Sequence, residues 1–144
     1  MLLAILAILC GGLFAGAAVY VSLVEHPARL SCGTALAIRE FGPSYRRGTV
    51  MQASLAGAGL LLGIVGWLDT GHAPLLWGGL LLGMVIPFTL LVILPTNRRL
   101  LDPALDAESS EAAILLERWG RLHAVRAVIG TLAFLVLLHG AGHG

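Results

Sequence analysis

The sequence predicts an all-α integral membrane protein, a single four-helix bundle over residues 1–144 with both termini on the same side, and three observations carry that reading. Of 144 residues, 58% are hydrophobic and only 12% charged, and the mean hydropathy is +0.91, which is not the balance of a water-soluble domain. Apolar stretches recur at bilayer length, about 20 residues for about 30 Å of hydrocarbon at about 1.5 Å per residue. All nine basic residues are arginine, and they crowd into one side of the topology that these stretches imply. The net charge of +1 sets aside nucleic-acid binding by bulk electrostatics. Cys10 and Cys32 form no Cys-x-x-Cys pattern and have no further thiol, so disulfide exchange and a structural zinc site are both poorly supported.

The spans follow in order. Met1 to Val24 has no charged side chain, and residues 2–24 form span one. It reads as a retained helix and not a cleaved signal, because a basic n-region and a small-x-small site are both missing. Residues 48–68, between Arg47 and Asp69, form span two, and residues 73–95, closed by Pro95-Thr96-Asn97, form span three. The short link Asp69-Thr70-Gly71-His72 makes them antiparallel neighbours. Glycines at 57, 59, 63 and 66 and at 78, 79 and 83 let them approach closely. Only residues 127–138 separate Arg126 from His139, too few to cross, so span four begins upstream and covers about 115–138. That draws His123 and Arg126 to the membrane interface or inside it, where ionisable groups are rare without a partner or a task.

Four spans leave two longer loops, 25–47 and 96–118, on one side. The arginines at 29, 39, 46, 47, 98, 99, 118, 121 and 126 fall there or in the adjoining turns of span four. The opposite side carries Asp69, His72, His139 and His143 and no Lys or Arg, so the positive-inside rule makes the loops cytoplasmic and both termini external. A bacterial inner membrane is the expected location. The expected partners are the bilayer and a lipid-soluble small molecule, with self-association into a homo-oligomer left open.

The same topology gathers polar groups at the arginine-rich face. Glu25 and His26 end span one, Tyr45 precedes span two with Gln52 one turn inside, and Asn97 ends span three. In span four Trp119, His123 and Arg126 are spaced i, i+4, i+7, one helical stripe, with Glu117 just before it. Each has a plainer reading. His26 precedes a proline, which biases it away from helical geometry, and could bond free helix-end carbonyls. Arg126 could pair with Glu25 or Glu117 across the bundle, Asn97 could cap span three, and Tyr45 and Trp119 could be interfacial-belt aromatics. A Glu-His pair is equally a base with an orienting carboxylate. A polar pocket walled by apolar helices is the joint expectation, with His26, His123, Arg126 and Asn97 as candidate catalytic groups and Glu25, Tyr45, Gln52 and Trp119 as candidate substrate contacts.

Several strings extend the reading: Val21-Ser22-Leu23-Val24-Glu25-His26-Pro27-Ala28-Arg29-Leu30, Pro43-Ser44-Tyr45, Ile86-Pro87-Phe88-Thr89, Pro95-Thr96-Asn97-Arg98-Arg99-Leu100 and Arg118-Trp119-Gly120-Arg121-Leu122-His123-Ala124-Val125-Arg126. In this order the chain resembles the anthrone oxygenase-like family of small four-span membrane proteins. The resemblance implies the four-helix fold. It also implies an oxygenase that takes an anthrone with O₂ to an anthraquinone, with His26, Asn97, Trp119, His123 and Arg126 matching the family's recurring polar residues. An anthrone is flat and apolar with acidic benzylic hydrogens, so it partitions into lipid and needs a base, for which an imidazole is suited. The electron-rich anion can reduce O₂, and Arg126 or Asn97 would stabilise its oxyanion character. No flavin, nicotinamide or covalent-haem fingerprint is present, leaving the cofactor unknown. A metal on His26 and His123 with Glu25, Glu117 or Asn97 is the other arrangement considered. A non-catalytic bundle that binds a quinone-like ligand, a metal or a partner protein is the alternative function, and transport is disfavoured because spans one to three carry almost no polar residue at mid-depth.

Overall fold

The structure, a computed structural model, describes residues 1–141; His143, assigned to the arginine-free side, lies outside the described residues. Helix α1 (Leu2–Tyr20) passes through a π-helical turn (Val21–Glu25) directly into α2 (His26–Ser31). Gly33, at φ 91°, then reverses the chain into α3 (Thr34–Thr70). Gly71 ends α3 in the left-handed conformation, its N–H bonded 2.7 Å from the Trp67 carbonyl, and α4 (Ala73–Phe88) returns. A second π turn (Thr89–Ile93) leads into α5 (Leu94–Leu100), and after a loop α6 (Ser110–Ala141) closes the bundle. The described residues thus contain four rods that are long and apolar enough to cross a membrane.

Each π turn comes just before a proline, Pro27 in α2 and Pro95 in α5. A proline within a helix lacks the N–H that would bond four residues back, and its ring presses on that carbonyl. Widening the preceding turn relieves both without ending the helix. His26 is accordingly fully helical (φ −67°, ψ −45°), contrary to the helix-terminal expectation. Asn97 likewise lies inside α5 and is not a cap, because the rod continues to Leu100.

The largest departure is residues 34–47, expected as loop and found as the start of α3. The charges that suggested a loop, Arg39, Glu40, Arg46 and Arg47, all lie on its exposed face, whereas Ala37 and Phe41 are buried against Leu116 and Trp119 of α6. An amphipathic stripe at i, i+4 decides for helix, and Pro43 is accommodated within it. At 37 residues α3 is about 55 Å long, well beyond the hydrocarbon thickness.

Around the bundle α1 packs on α3, α3 on α4, α4 on α6 and α6 on α1. Ala7, Leu75 and Leu137 share one cluster, which brings the start of α1, the α3–α4 turn and the end of α6 together at one end. There α3 and α4 meet backbone to backbone: a Cβ added at Gly63 would lie 2.6 Å from the Leu75 carbonyl oxygen and 2.9 Å from Gly79 Cα. Leu61, Val65, Leu91, Val128, Leu132 and Leu135 are exposed on the outside, the surface that acyl chains would cover. At the arginine-rich end the loop after α5 is ordered by Arg99, bonded to Asp102 at 2.8 Å and Glu111 at 2.7 Å, and Ser109 Oγ caps α6 by accepting the Ala112 N–H.

Candidate functional site

The arginine-rich half of the bundle encloses a cavity of about 900 Å³, counting its open mouth. Its walls are mostly apolar, from Val21, Phe41, Ala56, Val85, Ile86 and Ile93, and its polar lining comes from all four rods, with Arg29 of α2 contributed by the first. Tyr45 and Gln52 project from α3, Asn97 from α5, and Trp119, His123 and Arg126 from α6. The i, i+4, i+7 stripe of α6 therefore faces inward: Trp119 and His123 are buried and Arg126 is half-buried.

Trp119 is the hub of an aromatic cluster. His123, one turn on, stacks on it with ring centroids 4.8 Å apart; His26 leans on it at 5.1 Å, and Phe41 meets it edge-on at 5.3 Å. Phe41 in turn stacks on Tyr45 at 5.7 Å. Only Gly at position 120 permits the His26 packing, since a Cβ there would lie 2.6 Å from His26 Nε2. His26 is buried against α6 and is not among the residues lining the cavity. His123 lines it, with Nδ1 bonded to Ser22 Oγ at 3.0 Å, so Nε2 is the nitrogen left for a ligand.

The carboxylates are otherwise engaged. Glu25 Oε1 accepts from Arg29 at 2.6 Å and from Ser44 Oγ at 2.7 Å, and Arg29 also pairs with Glu40. Glu25 therefore orients Arg29 and not His26, and it does not pair with Arg126. Glu117 is exposed, two residues before Trp119 and so nearly opposite it on the helix, which removes it from the pocket and from any ligand set there. Arg126 makes no ion pair among the described residues. Its guanidinium lies 5.2 Å from the Phe14 ring centroid, and its Nε is buried without a hydrogen-bond partner.

Two buried carboxamides share this condition. Gln52 is 3% exposed and Asn97 1%, and Gln52 Oε1 and Asn97 Oδ1 have no donor among the described residues. Buried polar atoms are nearly always paired, and leaving one unpaired costs about 1–3 kcal/mol. The residues that carry these unpaired atoms, Gln52 on α3, Asn97 on α5 and Arg126 on α6, all line one apolar chamber. No three of the His, Cys, Asp and Glu side chains among the described residues are placed to share a metal ion. Of the donor set considered from sequence, Glu25 is held by Arg29 and Ser44, and Glu117 faces outward.

Sequence reasoning did not single out Ser22 or Arg29. The Glu25-x-x-x-Arg29 spacing is a readable i, i+4 pair, but that Arg29 also lies over Phe41 and Trp119, 5.8 Å and 5.7 Å from their ring centroids, follows only from the packing. Ser22 has no sequence signal, as its partner is 101 positions away.

A family model described as anthrone oxygenase matches residues 41–136, well over half of the chain. Tyr45, Gln52, Asn97, Trp119, His123 and Arg126 lie inside the match, while Ser22, Glu25, His26 and Arg29 lie outside it. Comparison with curated proteins and with solved structures finds no match.

Proposed function

The chain belongs to the anthrone oxygenase family, and from that premise we propose that it is a membrane-embedded oxidase that takes an anthrone-like polycyclic phenol and O₂ to the corresponding quinone. The observation that carries this reading is the apolar cavity in which His123, Arg126, Asn97 and Gln52 converge with no carboxylate lining it.

In this reading the flat ring system stacks near Trp119, and His123 Nε2 removes a benzylic proton while Nδ1–H donates to Ser22 Oγ, which holds the required tautomer. The oxygen that gains charge as the anion forms is stabilised by Arg126, whose Nε has no acceptor among the described residues. Electrons then pass from this anion to O₂. Overall the ring methylene loses two hydrogens and gains one oxygen atom as a carbonyl, and the second oxygen atom leaves with those hydrogens as water. His26 acts through Trp119 as a positioning residue. The arginine-rich end faces the cytoplasm of a bacterial inner membrane, on the charge asymmetry.

The test is turnover of anthrone by purified protein in nanodiscs under O₂, following anthraquinone formation and O₂ uptake at equal stoichiometry. A folded His123→Ala protein should lose about 10²-fold or more in kcat, the usual contribution of a general base. Activity within a few-fold of wild type would remove His123 from the reaction. Tight binding of anthraquinone with no turnover by wild type would assign the chain instead to the non-catalytic, quinone-binding class.

A further inference from the structure

The rods that form the cavity are close at one end and apart at the other. Near Gly63 and Gly79 the backbones of α3 and α4 touch, whereas at the arginine-rich end a Cβ added at Gly48, on the cavity wall, would meet nothing within 4 Å. The π turn before Pro95 falls in the facing stretch of the neighbouring rod, where the helix departs from a regular α-helical course. Thr49 and Ala53 on α3 and Leu90 on the π turn line the cavity and are also exposed on the outer surface. The cavity therefore reaches the exterior between them. Their outward neighbours Val50, Met51 and Leu91 are exposed and apolar, as lipid-facing side chains are.

We propose that the ligand arrives sideways from the bilayer, through a portal between α3 and the α4–α5 rod bounded by Thr49, Ala53 and Leu90, and that Gln52 and Asn97 read its hydroxyl groups. This rests on the proposed function in taking the ligand to be a flat polycyclic phenol. A phenol partitions into hydrocarbon and so reaches a portal at this depth. Once inside, its O–H groups supply the donors that Gln52 Oε1 and Asn97 Oδ1 lack, and its carbonyl oxygen an acceptor for Arg126 Nε. A phospholipid acyl chain fits the apolar mouth but satisfies none of these atoms.

The experiment uses the full chain in nanodiscs with Trp67→Phe and Trp77→Phe, leaving Trp119 as the reporter, and 2-hydroxyanthraquinone, whose O–H makes no internal hydrogen bond, as the quenching probe. Ala53→Phe and, on the opposite lip, Leu90→Phe narrow the portal without adding a second tryptophan, each scored against the same protein without probe. At least one of them should slow association and dissociation together by about tenfold at nearly unchanged Kd, because a portal changes passage and not the bound state. Gln52→Leu should weaken 2-hydroxyanthraquinone by about tenfold and unsubstituted anthraquinone hardly at all. If wild type binds the probe but both lip variants keep its rates, the portal is wrong and the proposed function stands. If lipids with brominated chains quench Trp119 and the probe does not relieve it, an acyl chain is the occupant and the proposal falls. No quenching by the probe in the wild-type pocket would end the functional reading and the portal with it.

Discussion

Ser22 Oγ, in the π turn that interrupts the first rod, lies 3.0 Å from His123 Nδ1 in the fourth. The bond joins the hydroxyl of that π turn to the imidazole lining the cavity, and it decides which ring nitrogen a ligand can meet. Ser22→Ala should leave the fold intact and lower kcat by about tenfold, the equivalent of about 1.4 kcal/mol, with little change in KM. Ser22→Thr, which keeps the hydroxyl, should recover most of the rate. Equal loss in both variants would mean that the residue acts by size alone.

His26 and Gly120 are coupled sterically. Gly120→Ala drives a Cβ to 2.6 Å from His26 Nε2, and the ring has little room to yield because Trp119 backs it. The substitution should destabilise by about 1–3 kcal/mol, as overpacking does. In a His26→Ala background the same change should cost much less, and a thermal-denaturation double-mutant cycle in detergent measures the difference. Additive effects would show that the two residues do not press on each other.

Gly63→Ala should be far more damaging than Gly57→Ala. The first places a Cβ against the Leu75 carbonyl and Gly79 Cα, both backbone atoms that cannot turn aside, and the second meets nothing within 4 Å. A loss of about 1–3 kcal/mol is expected at Gly63, against a slight gain at Gly57 from the better helix propensity of alanine. Unfolding monitored by Trp fluorescence for the two variants side by side checks this.

Orientation is tested separately. With Cys10 and Cys32 replaced by serine, Thr70→Cys at the α3–α4 turn should react with an impermeant maleimide in intact cells. Asp106→Cys, in the loop between α5 and α6, should react only after lysis. The opposite pattern would place the arginine-rich end outside.

Hydropathy and charge alone determined that this is a helical membrane protein of four spans, and that Trp119, His123 and Arg126 share one helix face. Each rests on local properties: the length of an apolar run, and a period of about 3.6 residues per turn. The reach of α3 back to Thr34 was also present as a local pattern, Ala37 and Phe41 on one face, but was obscured by arginines that occupy the other. What sequence could not determine is which polar groups find partners. Glu25 and His26 are chain neighbours, yet the carboxylate turns to Arg29 and Ser44 while the imidazole turns to Trp119 and Gly120. Gln52, Asn97 and Arg126 come from three different rods, and only the divergence of α3 from α4 leaves a chamber that all three line. Such pairing depends on where rods distant in sequence approach and where they part, and it was decided here by backbone contact at Gly63 and Gly79 and by two proline-driven π turns.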